Sequence, residues 1–241
     1  MTKTYEERKG TENPLGTQPV GKLLRKFAVP SIISMLVMSL YNIVDQIFIG
    51  QTVGELGNAA TNVAFPLTTL CIATALAFGI GGASGFNLNL GAGEKEKAPF
   101  FIGNSAIMMA IIGVILAVIS SVAMKPLLLF FGSTDTILPY AMEYTKYIAI
   151  GFPFAIVSAG GSHLVRADGS PKFSMACNLV GAFVNVILDY LFVMVFRWEM
   201  MGAAVATIIG QFLACLMVIW YLLHFKTIKL KRKSKQKGMR Q

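Results

Sequence analysis

Two carboxylates, Asp45 and Asp189, stand inside long apolar stretches, and neither has a basic residue within one helical turn in its own stretch. Placing an ionisable side chain inside a membrane costs roughly 2.5–3.5 kcal/mol on insertion scales, so such a residue is a candidate for function. These two aspartates are therefore the first candidates for a functional site.

Polar side chains recur at helical spacing around both carboxylates. Steps of three, four or seven residues place side chains on one face of a helix. Three apolar stretches each carry such a stripe, which predicts that three helices turn polar faces toward a common site. The stripes are Ser31, Ser34, Met38, Tyr41 and Asp45 in the first stretch, Asn178, Asn185 and Asp189 in the fifth, and Thr207 and Gln211 in the sixth.

The stripes also agree in depth. With the helical rise of about 1.5 Å per residue, Asp45 lies ~8 Å, Asp189 ~10 Å and Thr207 ~9 Å below the outer ends of their stretches. The three side chains are therefore expected at one level in the outer half of a membrane.

Carboxylate, amide and hydroxyl oxygens at one level suit a small hard cation or a proton. A Na⁺ site would use Asp45, Asn185, Asp189 and Thr207 as its oxygen ligands. Alternatively, burial and mutual repulsion favour the protonated form of one carboxylate, so that the pair binds H⁺. A third interpretation is that these groups only satisfy one another between helices.

Further side chains of the stripes lie near this site or an adjoining cavity. Tyr41 either caps the site by hydrogen bonding or simply packs there. Met38 is suited to an adaptable cavity for apolar ligands, and Gln211 follows Thr207 on the same helix face.

Composition requires the elements that position these residues to be membrane helices. Hydrophobic residues make up 55% of the 241 residues and charged residues 14%, whereas soluble domains carry about 25% charged residues. This disfavours a soluble enzyme, a nucleic-acid-binding domain and a disordered protein. An all-α polytopic membrane protein with one bundle of six transmembrane helices is predicted, because six stretches are long enough to span a bilayer. They are Phe27–Gly50, Asn58–Leu90, Phe101–Met124, Ile137–Leu164, Phe173–Phe196 and Met201–Phe225.

Basic residues predict the orientation of this bundle. Eight of the 21 Lys and Arg lie between Lys226 and Gln241, and without them the net charge of +9 falls to +1. With the N-terminus inside, 18 of the 21 lie on the cytoplasmic side, so both termini are expected in the cytoplasm. The predicted parts are a cytoplasmic arm (1–20), a transmembrane lobe (21–225) and a basic cytoplasmic tail (226–241). The tail favours contact with anionic membrane lipid over nucleic acid.

No motif for catalysis is present in the sequence. It lacks a phosphate-binding P-loop, a Gly-x-Ser-x-Gly elbow and a His-Glu-x-x-His pair. The three cysteines have no metal-site spacing. We therefore expect a protein that is not an enzyme and that has no cofactor other than a coupling ion.

Several motifs, taken together, resemble the bacterial branch of the multidrug and toxic compound extrusion (MATE) transporter family. Pro30 opens the first stretch and Val44-Asp-Gln-Ile-Phe-Ile-Gly50 closes it. The other pieces are the loop Gly91-Ala-Gly-Glu94, the loop Arg166-Ala-Asp-Gly-Ser-Pro171, and Asn185-x-x-x-Asp189. The resemblance covers nearly the whole chain after about residue 13.

The resemblance implies a fold, an activity and a site. Members of the family have twelve helices in two lobes that rock to expose a central cavity to alternate sides, and a Na⁺ or H⁺ gradient drives export of amphipathic, often cationic drugs. Their cation site in the N-terminal lobe corresponds here to Asp45, Asn185, Asp189 and Thr207, with Tyr41 nearby. This chain resembles that N-terminal lobe only, and its tail resembles the start of the connector between lobes. Transport by alternating access would then require a C-terminal lobe or a second copy.

Two other functions remain open at this point. A flippase for lipid-linked precursors would need a cationic cavity, and the predicted spans contain almost no Arg or Lys. A non-transporting membrane scaffold or truncated fragment would keep the same intramembrane carboxylates.

Overall fold

The structure is a bundle of six long helices. It is a computed structural model, and it describes residues 19–94 and 96–225. All six long helices are apolar and long enough to cross a membrane, and no strand occurs in the described ranges. The predicted all-α fold with six spans is confirmed. The helices are α1 (Val20–Thr52), α2 (Glu55–Gly91), α3 (Ala98–Val122), the short α4 (Met124–Phe130), α5 (Leu138–Ala167), α6 (Pro171–Asp189) and α7 (Glu199–Leu223).

Most helix bounds lie within three residues of the predicted spans, and three differences are larger or change the type of helix. Helix α1 begins at Val20 rather than Phe27, because Lys, Arg and Leu are good helix formers whether or not they lie in a membrane. A seven-residue helix, α4, occupies part of the predicted connection 125–136. Beyond Asp189, the fifth span continues as a π-helical segment, Tyr190–Val195. A run of apolar residues predicts which part of a helix crosses the membrane. It does not predict where the helix begins outside the membrane, or where the type of helix changes.

Helix α5 lies at the centre of the bundle. It packs against α2, α3, α6 and α7, whereas α1 packs mainly along α6. In the most apolar window of each helix, 67% of residues are buried in α5 and 11% in α1. The lobe therefore has one enclosed helix and one helix that is exposed along most of its length.

Small residues allow the close approaches that this packing needs. A Cβ atom on Gly79 of α2 would lie 2.6 Å from the carbonyl oxygen of Gly160 in α5. A Cβ atom on Gly210 of α7 would lie 2.6 Å from the carbonyl oxygen of Gly181 in α6. Because real Cβ atoms do not approach backbone oxygens so closely, glycine at these positions sets the distance between the helix backbones.

Two predicted parts lie almost entirely outside the described residues. Of the predicted arm 1–20, the structure describes Pro19 and Val20, and Val20 already belongs to α1. The predicted basic tail 226–241 lies wholly outside the described residues.

Candidate cation site

The two intramembrane carboxylates, Asp45 and Asp189, are brought together by the packing of α1 against α6. Their side chains are close enough to influence each other electrostatically. Asp45 is 8% exposed and Asp189 is fully buried. Among the described residues, no Lys, Arg or His lies within ion-pairing distance of either one. Two buried carboxylates without a counter-charge repel each other unless a proton or cation lies between them.

Asp189 occupies a special position in its helix. It is the last residue of α6, and the π-helical segment begins at the next residue. Short π-helical insertions occur frequently at functional sites, because the extra residue changes the direction of the side chains that follow. The change of helix type after Asp189 separates the face that carries Asn185 and Asp189 from the residues that continue toward α7.

Asn185 joins the carboxylates to α7. Its side-chain amide Nδ2 donates a hydrogen bond to Thr207 Oγ1 at 3.2 Å, and Asp189 follows it one turn later in the same helix. Asn185 is 3% exposed. Because Gly181 and Gly210 bring α6 and α7 close together just beside it, the amide reaches the hydroxyl directly.

The site contains more hydrogen-bond acceptors than donors. Within the described residues, buried oxygens that accept no hydrogen bond include Asp45 Oδ1, both carboxylate oxygens of Asp189 and Asn185 Oδ1. Buried polar atoms are normally satisfied, so a group of orphaned oxygens indicates a missing positive partner. A donor set of carboxylate, amide and hydroxyl oxygens fits a hard cation such as Na⁺, and the carboxylate pair fits a shared proton equally well.

A cavity of about 60 Å³ adjoins this group between α1, α5, α6 and α7. It can hold a few water molecules and is too small for a drug-sized molecule. Its wall combines small and neutral polar side chains, with no Lys or Arg among the described residues that form it. These residues are Met38, Tyr41, Ser158, Asn178, Gly181, Ala182, Asn185, Thr207, Gly210, Gln211 and Ala214.

The predicted site residues therefore fall into two connected groups. Asn185 and Thr207 line the cavity together with Met38, Tyr41 and Gln211. Asp45 and Asp189 do not line it, and both are buried. Asn185 connects the two groups, since it contacts Thr207 and lies one helical turn before Asp189.

Two side chains near the site were given no role of their own from the sequence, although one of them, Asn178, belongs to a predicted polar stripe. Tyr144 of α5 is buried beside Asp45, Tyr41 and Asp189, and no polar stripe on α5 signalled it, because the neighbouring Glu143 and Lys146 face outward. Asn178 lines the cavity and accepts a hydrogen bond from Ser162 at 3.2 Å through Oδ1. Its signal was present in the polar stripe of the fifth span.

Six membrane-spanning helices around a buried carboxylate pair define this chain as a polytopic helical membrane protein of the transporter type. The family model MatE matches residues 30–191. The chain belongs to the MATE transporter family, and the predicted resemblance is confirmed.

Individual relatives agree with this assignment. A FAD transporter of Shewanella oneidensis is 27% identical over 218 residues, which cover 89% of this chain and 48% of the relative. The multidrug export protein MepA of Staphylococcus aureus is 26% identical, with 85% and 46% covered. The solved structure of the MATE multidrug transporter DinF-BH superposes with a TM-score of 0.81 at 36% identity, with 87% and 47% covered. The chain thus spans about half the length of the relatives it matches.

Proposed function

We propose that this chain is the cation-coupled N-terminal lobe of a multidrug exporter in the cell membrane. In this role it exchanges Na⁺ or H⁺ for amphipathic, often cationic compounds by alternating access. The observation that carries the proposal is the buried pair Asp45 and Asp189, whose oxygens lack a positive partner among the described residues. Such a pair is costly as a purely structural contact and useful as an ion site.

The chemistry of coupling follows from charge. A bound Na⁺ would supply the positive charge that the carboxylates lack, with Asp45, Asn185, Asp189 and Thr207 as its ligands. Without a cation or proton, the carboxylates of α1 and α6 repel each other. Because α1 packs mainly along α6 and buries few of its residues, a change of charge in the pair acts on the helix with the least opposing packing.

The cargo class follows from the walls around the site. The cavity has neutral walls, and Tyr41, Met38 and Gln211 line it, which favours neutral or cationic amphipathic cargo over an anionic one. Because the cavity is too small to enclose a drug, a drug would bind against this wall only when a second membrane-spanning part of the transporter covers it. We call this part the second body. MepA as a multidrug export protein and DinF-BH as a multidrug transporter support this class of cargo. The neutral wall also disfavours a lipid-linked-precursor flippase.

The second body is the C-terminal lobe of the same transporter or a second copy of this chain. The relatives are about twice as long as the matched region, and transport of this type uses two repeats that move against each other. Both ends of the lobe face the cytoplasm in this proposal, because that orientation puts most Lys and Arg inside. A transporter in this role catalyses no covalent reaction.

The test is efflux from cells that lack their own exporters. Cells expressing the 241-residue chain, alone or together with the C-terminal half of a MATE relative, are loaded with ethidium, and membrane abundance is measured in parallel. We expect lower accumulation in at least one arrangement, and we expect Asp45→Asn or Asp189→Asn to restore it. Glu143→Gln, which neutralises an exposed carboxylate on α5, is the matched control and should keep export.

The arrangement that works identifies the second body. Export by the chain alone indicates a homo-oligomer, and export only with the added half indicates a two-lobe transporter. Undiminished export by both Asp45→Asn and Asp189→Asn at normal abundance would contradict the proposal. No export in either arrangement would favour the scaffold or fragment.

A further inference from the structure

An arginine at the end of α5 is held by two neighbouring helices, far from the carboxylate pair. Arg166 is the last residue but one of α5 and is half-buried. Its Nε donates a hydrogen bond to Ser174 Oγ of α6 at 3.0 Å, and its Nη1 donates to Ser31 Oγ of α1 at 3.5 Å. The guanidinium therefore lies at the junction where α5 ends, α6 begins and the first turns of α1 pass.

The two hydroxyls orient the guanidinium without balancing its charge. A guanidinium carries five N–H donors, and the bonds to Ser174 and Ser31 use two of them. Among the described residues, no carboxylate lies within ion-pairing distance of Arg166. The nearest acid in the sequence, Asp168, accepts a hydrogen bond from the Tyr221 hydroxyl of α7 at 2.8 Å. A cation that is partly removed from water and held by neutral groups favours the binding of an anion.

The charges around this junction are positive. The carboxylates of α1, α5 and α6 all lie toward the opposite end of the bundle, and they are Asp45, Glu143 and Asp189. The halves of these helices that lie on the side of Arg166 contain no Asp or Glu and four further cations, which are Lys22, Arg25, Lys26 and Lys172. Their field attracts an anion to Arg166 and disfavours a cation there.

An exposed apolar surface adjoins the junction. Val29, Ile32 and Ile33 of α1 lie within two residues of Ser31, and all three are exposed. An inorganic anion at Arg166 would leave these side chains uncovered, whereas the acyl chains of a lipid would lie against them. Basic sites between membrane helices suit lipid head groups for this reason. The combination of an anion-binding group and an apolar surface therefore favours an amphipathic anion.

We infer that Arg166, held by Ser31 and Ser174, binds the phosphate of an anionic phospholipid at the junction of α1, α5 and α6. The planar guanidinium offers N–H donors in the geometry that phosphate oxygens accept. Phospholipid phosphates lie at both membrane surfaces, so the site does not depend on the orientation of the bundle. It is also independent of the proposed function, because a lobe that transports nothing can still bind a lipid.

The experiment measures lipid binding to the full 241-residue chain. The chain is purified in a neutral detergent, and binding of phosphatidylglycerol and phosphatidylcholine is followed by native mass spectrometry, with inorganic phosphate as a competitor. Phosphatidylcholine has the same phosphate diester and an added fixed cation, and inorganic phosphate has no acyl chains. The variants are Arg166→Gln and Ser31→Ala. The matched control is Lys172→Gln, which removes an exposed cation from the same end of the bundle.

The expected result is a loss of affinity that follows the contacts of the guanidinium. We expect phosphatidylglycerol to bind more tightly than phosphatidylcholine and to resist displacement by inorganic phosphate. Arg166→Gln should weaken phosphatidylglycerol binding about tenfold, as expected for the loss of a hydrogen bond to a charged group. Ser31→Ala keeps the charge and removes one hydroxyl that orients it, so binding should weaken about threefold. Lys172→Gln should stay within about twofold of the wild type. The basic segment 226–241 is present in every variant, so its own contribution cancels.

Thermal unfolding separates lipid binding from helix packing. A ligand of the folded chain raises the unfolding temperature, so phosphatidylglycerol should raise it more in the wild type than in Arg166→Gln. If Arg166 only joins helices, the variant unfolds at a lower temperature without lipid but gains as much from lipid as the wild type does. Should Arg166→Gln fail to fold, Ser31→Ala provides both measurements.

Three results would overturn the inference. They are equal phosphatidylglycerol binding by the wild type and both variants, equal weakening by Lys172→Gln and Arg166→Gln, and displacement of the lipid by an equal concentration of inorganic phosphate. The second result would indicate diffuse surface charge, and the third would make a free anion the ligand. The expected lipid binding in a chain that fails the ethidium test, with or without a second half, would uphold the site and reject the proposed function.

Discussion

Helices α5 and α1 have opposite roles in the lobe. Helix α5 is enclosed by four long neighbours and meets α2 through Gly79 and Gly160, where backbone approaches backbone. Helix α1 is exposed along most of its length, yet it carries the buried carboxylate Asp45 toward the buried Asp189 and Asn185 of α6. The closest helix packing is therefore found on α5, and the buried carboxylate Asp45 is found on α1. The four predictions that follow test this division, from the largest expected effect to the smallest.

Disrupting the close packing of α2 against α5 should have the largest effect on stability. In Gly79→Leu, the new side chain would collide with the backbone of Gly160, and an over-packed core loses stability by about 3 kcal/mol. We expect a clear fall in the thermal unfolding temperature of the purified chain in detergent. Gly81→Leu is the matched control, because a Cβ atom there meets nothing within 4 Å. Equal losses in both variants would show that α2 and α5 are not held by this close approach.

Removing one charge from the buried pair should stabilise the lobe. Asp189→Asn leaves one buried carboxyl without a second acidic group beside it, so in Na⁺-free buffer it should increase the free energy of unfolding by about 1–2 kcal/mol. Thermal unfolding measures this, with Glu143→Gln as the control, which should unfold like the wild type. A destabilised Asp189→Asn would mean that the carboxylates serve structure rather than ion binding.

Weakening the α7 side of the site should have a moderate effect. Thr207→Val keeps the shape of the side chain and removes the hydroxyl that accepts from Asn185. If Na⁺ binds here, adding Na⁺ stabilises the wild-type lobe by mass action, and the variant should lose about 1 kcal/mol of that stabilisation. The measurement is the unfolding temperature across a Na⁺ series balanced with choline. Thr74→Val, which removes a hydroxyl that donates to Leu70 of its own helix, should respond like the wild type.

Loosening α1 at its other end should have the smallest effect. Arg166 Nη1 donates to Ser31 Oγ at 3.5 Å and Nε donates to Ser174 Oγ at 3.0 Å, which ties α1 to α5 and α6. Ser31→Ala should cost at most about 0.5 kcal/mol of global stability, but amide hydrogen exchange around Ser31 should become faster. Exchange in α5 should stay unchanged. Faster exchange in both helices would mean that α1 and α5 do not move independently.

Sequence reasoning reached much of the site, and the gaps have identifiable causes. Asp45, Asn185, Asp189 and Thr207 were predicted as one set, because a polar residue in an apolar stretch is conspicuous and helical spacing fixes its face. The structure brings them together, while their role as ion ligands stays a prediction. Tyr144 was missed because an aromatic residue near a helix end carries no periodic signal. The hydrogen bond from Thr61 Oγ1 of α2 to Gln46 Oε1 of α1 was not predicted, because it depends on how these two helices meet.

The sequence by itself determined the membrane helices, the family and the residues that bear charge inside them. These properties follow from composition, from a repeat of 3.6 residues and from local motifs, all of which are encoded in neighbouring residues. Only the tertiary structure decided that Asp189 lies against Asp45, that Asn185 connects them to Thr207, and that α5 rather than α1 is enclosed. Such choices depend on which helices approach most closely, and that is set by small residues such as Gly181 and Gly210 meeting across helices. No spacing within one helix contains that information.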